Sequence, residues 1–377
     1  MSAATVPVAA DSTGAAADGG VDIAIVGAGP CGLAAAIAAK RAGLAAIVFD
    51  RSCVVSGIAG YPTYMTFFST AERLSIGGVP FVVAGEKPTR RDALAYYRAV
   101  VDHFDLQVRQ YEAVERVERL ERAGSEAGGS ARGAPPTETM PLARSARAID
   151  LPRSGARFRI HSRTRAGAEQ VTSAGAVVIA TGYFGVPNRL GVPGENLPHV
   201  SHEYREGHFA FRRRAVVVGG GNSAVDAALD MQRSGAHVTL VHFGPTFDRN
   251  IKPWLLPDVT NRVADGSLGA RWDSRVREIT PTEVVLGTPR GDERIPADHV
   301  FLLVGYLPET TLLADLGVRI SPETGIPEHD RATMETSQPG VFIAGVIASG
   351  YDANKTFIEN GRFHGDLIAD AVLAASR

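Results

Sequence analysis

Two glycine clusters hold the residues most able to do chemistry in this chain. The first is Gly27-x-Gly29-x-x-Gly32, set between an apolar run and an alanine-rich run. In such a turn the first glycine allows the tight bend, the second lets backbone approach a pyrophosphate, and the third lets helix and strand pack closely. Unpaired N–H groups and the helix dipole then hold the anion. Asp50 ends the next apolar run, 18 residues after Gly32. A carboxylate there can accept hydrogen bonds from both ribose hydroxyls. The second cluster, Gly219-x-Gly221-x-x-Ala224, is a permitted variant of the same turn. His242 stands where Asp50 stands in the first copy. A carboxylate at that point would favour NAD and repel a 2′-phosphate. His242, with Arg249 and Lys252 downstream, can instead receive that phosphate, which points to NADP. The other reading is that these side chains are merely solvated and His242 is a surface residue.

Cys31 lies inside the first turn, and Cys53 follows Asp50 by three residues; the chain has 2 cysteines. A helix N-terminus favours thiolate over thiol, while a pyrophosphate at the same helix end opposes a second negative charge. The balance predicts a modestly lowered pKa for Cys31. Two roles stay open for it: a redox thiol, or a small residue fitted to a crowded turn. Cys53 reads as an incidental or buried thiol.

These residues need two similar scaffolds, and the sequence repeats itself accordingly. Gly27 aligns with Gly219, Gly29 with Gly221, Gly32 with Ala224 and Gly43 with Gly235, at an offset of 192 residues. Each copy reads apolar strand, glycine turn, helix, glycine stop, second apolar strand, which is one βαβ unit. Two dinucleotide sites in one chain suggest a tightly held cofactor and a mobile hydride donor, commonly FAD with NAD(P)H. The runs AVVIATG (176–182) and GVFIAG (340–345) are apolar strands ending in glycine turns. The fold class expected is α/β, with two Rossmann-like dinucleotide-binding domains, the NAD(P) domain inserted into the FAD domain. The boundaries expected are 21–187 and 305–377 for the FAD domain and 188–304 for the NADPH domain. Residues 1–20 read as a disordered arm and 121–157 as a loop insertion interrupting a β-meander.

Composition narrows the function. The chain has 377 residues, is 45% hydrophobic and 21% charged, and carries a net charge of −2. Near-neutrality argues against nucleic acid or a membrane surface as partner. No apolar run of about 18 residues is present, so no transmembrane helix is expected. Two cysteines exclude a disulfide framework, a four-cysteine zinc site and a CxxC redox pair, and the histidines show no metal spacing. Tyr64, Met65, Thr66, Phe67 and Phe68 either line a flavin ring or form an ordinary apolar loop.

VGAGPCGLAAAI (26–37), YPTYMTFFST (61–70), IGGVPF (76–81), EKPTRRDALAYYR (86–98), GGGNSAVDAAL (219–229), IKPWLLP (251–257) and FIENGRFHGD (357–366) together resemble the bacillithiol disulfide reductase family, also called bacilliredoxin reductase. The resemblance covers most of 21–120 and 170–377. It implies a cytoplasmic, FAD-containing, NADPH-dependent oxidoreductase of thioredoxin-reductase-like fold. Cys31 is then the redox residue, and the substrate is the disulfide of a low-molecular-weight thiol or a small redoxin carrying it. A homodimer or tetramer fits the resemblance. FAD contacts are expected at Gly27, Gly29, Pro30, Cys31, Gly32, Asp50, Arg51, Thr66, Thr181, Gly182, Gly345 and Val346. NADPH contacts are expected at Gly219, Gly221, Asn222, Ser223, Ala224, His242, Arg249 and Lys252.

Compared with thioredoxin reductases, the chain lacks CxxC, has Gly345-Val346 for the usual Gly-Asp, and has His242-Phe243 for the usual basic dipeptide. ATGYFGVPNRLGVPG (180–194) is also similar to a segment of flavin monooxygenases, but their Phe-x-Gly-x-x-x-His pattern is absent from LPHVSHEYREG. A monooxygenase is therefore the second reading, a ferredoxin or flavodoxin reductase the third, and an NADPH-sensing regulator the last.

Overall fold

The computed structural model describes residues 20–120 and 157–375. The expected N-terminal arm, except Gly20, and the expected insertion, except Arg157, lie outside the described residues.

Strand β1 (Val21–Val26) is apolar and buried over its last four residues. Helix α1 (Pro30–Arg41) is buried along Gly32 to Ala39. That run is small and apolar because the helix is covered on two sides. The sheet lies under one face, and α9 (His364–Ala375) packs on the other, with Gly365 so close to Ala35 that a Cβ would stand 2.6 Å from its Cα. Strand β2 (Ala46–Asp50) pairs parallel with β1. The chain then runs through α2 (Ser56–Ala59), α3 (Ala71–Leu74) and α4 (Arg90–His103). A Thr89–Asp92 capping box starts α4. Strands β3 (Val108–Gln110), β4 (Glu112–Arg119), β5 (Phe158–Thr164) and β6 (Glu169–Ile179) follow.

Strand β6 serves two sheet types. Its first half pairs antiparallel with β5, from Arg163↔Glu169 to Phe158↔Ala174. Its second half pairs parallel with β1 and, on the other side, with β17 (Val341–Ile343). The first sheet is thus a parallel core, β3-β2-β1-β6-β17, joined to the antiparallel meander β4-β5-β6. The interrupted meander expected around 121–157 is present.

The chain leaves this sheet at β7 (Val186–Pro187) and passes through β8 (Val200–Ser201), β9 (Arg214–Val218), α5 (Asn222–Arg233), β10 (His237–Val241), α6 (Leu256–Ala264) and β11 (Gly269–Arg271). An antiparallel meander of β12 (Arg275–Ile279), β13 (Glu283–Thr288) and β14 (Gly291–Pro296) precedes β15 (His299–Leu302). The second sheet, β11-β10-β9-β15-β8, is parallel throughout. Val216, Val218, Val241 and Val300 pack against Val276, Val284, Leu286 and Ile295 of the meander. Strand β16 (Tyr306–Leu307) returns antiparallel to β7, so both crossings between the sheets share one short ribbon. After it come α7 (Thr311–Asp315), β17, α8 (Ile358–Gly361) and α9. The α/β class with two Rossmann-like parallel sheets is as expected.

Candidate functional site

The first glycine turn joins β1 to α1. Gly27 has φ +113°, and a Cβ there would collide with the Ala180 carbonyl. A Cβ on Gly32 would collide with the Gly27 carbonyl. Gly29 differs: a Cβ there meets nothing within 4 Å. It is the N-cap of α1, with no side chain capping the helix and no acidic residue in its first turn. Pro30 fills the first helical position, where a missing N–H costs nothing. The start of α1 is therefore a positive helix end without a side-chain cap and with open space beside Gly29, which fits a pyrophosphate.

Asp50 is tied to this turn. Its Oδ2 accepts from the Ala28 N–H and its Oδ1 from the Ser52 N–H, both at 2.8 Å. Oδ1 also accepts from the Ser56 hydroxyl at 3.4 Å, so Oδ2 is the oxygen that keeps a lone pair for a ribose hydroxyl. Arg51 is exposed, and its guanidinium stands beside Gly185. The Thr181 hydroxyl donates to the Glu309 carbonyl at 3.3 Å, and Gly182 turns at φ +79°. Thr66 is exposed and forms a β-bridge with Thr89. Gly345 has φ +82°, and Val346 opens a short 3-10 turn to Ser349.

The Cys31 sulfur lies between two glycines. A Cβ on Gly345 would stand 3.0 Å from it, and one on Gly361 would stand 2.9 Å from it. Burial pushes the Cys31 thiol up to about 12. The modestly lowered value expected from the helix end is thereby corrected. A helix N-terminus contributes about 0.3–1 kcal/mol, less than one pKa unit, whereas burial shifts a group by up to several units. The Tyr61 hydroxyl is also pushed up to about 12, first by burial and then by the neighbouring Cys31. The Gly345 N–H donates to His364 Nδ1 at 3.1 Å. Burial, and then nearby His329, lowers the His364 pKa. Gly361 and His364 were missed as individual residues in the sequence. Their only signal was the segment FIENGRFHGD.

The loop 61–70 does not form one surface. Phe67 is buried, Tyr64 is 76% exposed, and Phe68 reaches across to Trp254 with ring centroids 5.6 Å apart. Tyr61 meets Phe184 edge-on at 5.4 Å, and Phe184 meets Tyr306 at 5.2 Å. An aromatic row thus runs from this loop to the ribbon between the sheets. The backbone joins in: Thr63 N–H donates to the Arg205 carbonyl at 2.8 Å, and the Arg205 guanidinium donates to the Ala59 carbonyl at 3.0 Å.

The second turn joins β9 to α5. Gly219 has φ +141° and abuts the Leu303 carbonyl, and Ala224 is fully buried beneath it. Gly221 caps α5 without side-chain help, and the first helical turn has no acid. The Asn222 amide donates to the Asn250 carbonyl at 2.8 Å, and its oxygen accepts from the Lys252 N–H at 2.9 Å. Ser223 is exposed. These features fit a second pyrophosphate.

Three expected contacts here are placed unlike one another. His242 is 4% exposed, with its ring pressed against Gly220 and its Nε2 3.4 Å from Asp248. Arg249 is exposed. Lys252 is buried: its Nζ is 2.7 Å from Asp226 and 3.7 Å from the Phe68 ring centroid. Lys252 is thus engaged with Asp226, whereas Arg249 is exposed.

Among the described residues no helix is long and apolar enough to cross a membrane, and no cluster of His, Cys, Asp or Glu could hold a metal ion.

A family model described as pyridine nucleotide-disulphide oxidoreductase matches residues 24–126 and 146–345. The bacilliredoxin reductase Bdr of Bacillus subtilis (strain 168) is 41% identical over 349 residues, 92% of this chain and 95% of that protein. The solved bacillithiol disulfide reductase Bdr (YpdA) from Bacillus cereus is 39% identical and aligns with a TM-score of 0.83 over 95% of this chain and 99% of that one. Its counterpart from Staphylococcus aureus is 36% identical with a TM-score of 0.82 over the same shares. FAD and NADPH are the cofactors of this group of reductases. The chain belongs to the pyridine nucleotide-disulphide oxidoreductases and, within them, to the bacilliredoxin reductase family.

Proposed function

We propose that this protein uses NADPH to reduce the disulfide of a low-molecular-weight thiol of bacillithiol type, or of a bacilliredoxin-like protein carrying it. The observation that carries the reading is the near full-length identity with Bdr, joined to a chain whose only thiols are Cys31 and Cys53. Identity over nearly the whole chain favours it over a monooxygenase or a ferredoxin or flavodoxin reductase. The proposed FAD domain is 21–187 with 305–377, and the proposed NADPH domain is 188–304. A cytoplasmic homo-oligomer belongs to the same proposal.

Overall, NADPH, one proton and the disulfide give NADP+ and two thiols. When bound, FAD supplies a two-electron relay between nicotinamide and sulfur. Gly29 and the open start of α1 hold its pyrophosphate, and Asp50 its ribose. The start of α5 holds the pyrophosphate of NADPH. Cys31 attacks one sulfur of the disulfide, the S–S bond breaks, and the first thiol leaves with the Cys31 proton. A thiol held near 12 is protonated at neutral pH, so proton loss accompanies the attack. The hydride of NADPH, with one proton from solvent, then reduces the mixed disulfide, releases the second thiol and restores Cys31.

The test is anaerobic turnover of purified, FAD-loaded protein with NADPH and a small-molecule disulfide. Stoichiometric appearance of two thiols per NADPH is expected. Protein that takes up no FAD, or NADPH oxidation without thiol release, overturns the reading.

A further inference from the structure

The second glycine turn contains a carboxylate that the end of its strand does not show. His242, at the position where an acid would select NAD, turns inward. Its ring lies where a Cβ on Gly220 would be, and its Nδ1 is buried with no hydrogen-bond partner among the described residues. The chain then loops back. The Asp248 N–H donates to the Gly220 carbonyl at 3.1 Å. Its Oδ1 is 3.4 Å from His242 Nε2, and its Oδ2 would stand 3.3 Å from a Cβ on Gly221. Gly221 is the N-cap of the 12-residue helix α5. A half-exposed carboxylate thus sits at the positive helix end, beside the strand terminus, six residues later in sequence than the usual acid.

We propose that Asp248 sets the nucleotide selectivity of this turn, so that the site takes NADH as well as NADPH. The inference rests on reading the turn as the NADPH site. Asp248 has the chemistry to accept from a ribose diol, and a buried imidazole with an unpaired nitrogen lies behind it. The same charge opposes a 2′-phosphate, because like charges side by side discriminate against one partner. The cations that would offset it are few. Lys252 is paired with Asp226, and Arg271 with Glu293. Phe243, next to His242, is apolar and 60% exposed. Arg249 is exposed beside Asp248, and the Arg275 guanidinium lies 4.9 Å from the Phe243 ring centroid. These two arginines keep NADPH acceptable without excluding NADH.

The experiment is calorimetric titration of the FAD-loaded protein with NADP+ and with NAD+, comparing wild type, Asp248→Asn and Asp248→Ser. Wild-type dissociation constants are expected within about tenfold of each other, and both variants should move the ratio toward NADP+ by about tenfold, chiefly through tighter NADP+ binding. A wild type that binds NADP+ more than about a hundredfold tighter than NAD+, or variants that leave the ratio within about twofold, would overturn the proposal. If neither nucleotide binds the wild type, the reading of the turn as a nucleotide site fails, and this proposal fails with it.

Discussion

The Lys252 ammonium stands 3.7 Å from the centroid of the Phe68 ring, and through this contact the second glycine unit touches the loop that follows the first. Trp254 packs on the same ring, and the Lys87 ammonium lies 4.2 Å from the Trp254 ring centroid. Two adjacent aromatic rings, Phe68 and Trp254, are therefore flanked by two lysines, Lys252 and Lys87. Cation–π pairs of this kind contribute about 0.5–2 kcal/mol each, more where water is excluded.

Lys252→Met should lower stability by about 1–2 kcal/mol, because it removes the ring contact and leaves Asp226 unpaired but partly solvated. It should weaken NADP+ and NAD+ binding equally, because the Lys252 charge is committed to Asp226. Thermal melts and paired titrations check this. Loss of NADP+ binding alone would show that Lys252 reaches the 2′-phosphate after all.

The glycines of the first turn should separate into structural and ligand-facing positions. Gly27→Ala and Gly32→Ala drive a methyl into backbone carbonyls, so both should melt at lower temperature and lose FAD. Gly29→Ala meets no protein atom. It should fold normally and bind FAD about tenfold or more weakly, since the added methyl enters the space proposed for the pyrophosphate. Flavin absorbance per chain and the melting curve give both readouts. Equal FAD affinity in Gly29→Ala and wild type would place the pyrophosphate elsewhere.

Cys31→Ala should keep FAD and NADPH-dependent flavin reduction and lose most disulfide turnover, while Cys53→Ala should lose little. The raised pKa adds a stability signature. Above pH 9 the unfolded thiol ionises, while the folded thiol stays protonated until about 12. The folded state then binds more protons, so stability falls as pH rises from 9 toward 12, by at most about 1.4 kcal/mol per pH unit. Tyr61 adds a second decline between 10 and about 12. Denaturant titrations across this range should show a shallower alkaline slope in Cys31→Ala than in wild type. Identical slopes would mean that the sulfur is solvated.

His364 gives the opposite signature. Its folded pKa lies below 6.5, chiefly because it is buried. As pH falls below 6.5 the unfolded imidazole gains a proton before the folded one does, so stability is lost on acidification. His364→Gln should remove that share of the acid sensitivity. The shares of His202 and His299, which are also shifted down by burial, should remain. Denaturant midpoints at pH 7.5 and pH 5.5 measure it. An unchanged difference between the two pH values would show that His364 titrates normally when folded.

The sequence by itself determined the two βαβ units, the interrupted meander and the need for glycine at Gly27 and Gly32. Each is written in residues close together in the chain: apolar runs of strand length, a glycine where φ is positive, a small residue where a carbonyl crowds the helix. The likeness of two units 192 residues apart needed no tertiary information because the same local pattern appears twice. What only the tertiary structure decided were relations between distant residues. Helix dipole reasoning about Cys31 considers one helix. Its thiol is governed instead by burial beside Gly345 and Gly361, which arrive from more than 300 residues away. Lys252 reads as a free cation until Asp226 and Phe68 are seen to share it. The strand ending in His242 reads as lacking an acid, yet the loop after it folds Asp248 back to the imidazole. Charge and solvation depend on what surrounds an atom in space, and that surrounding is assembled only when the whole chain has folded.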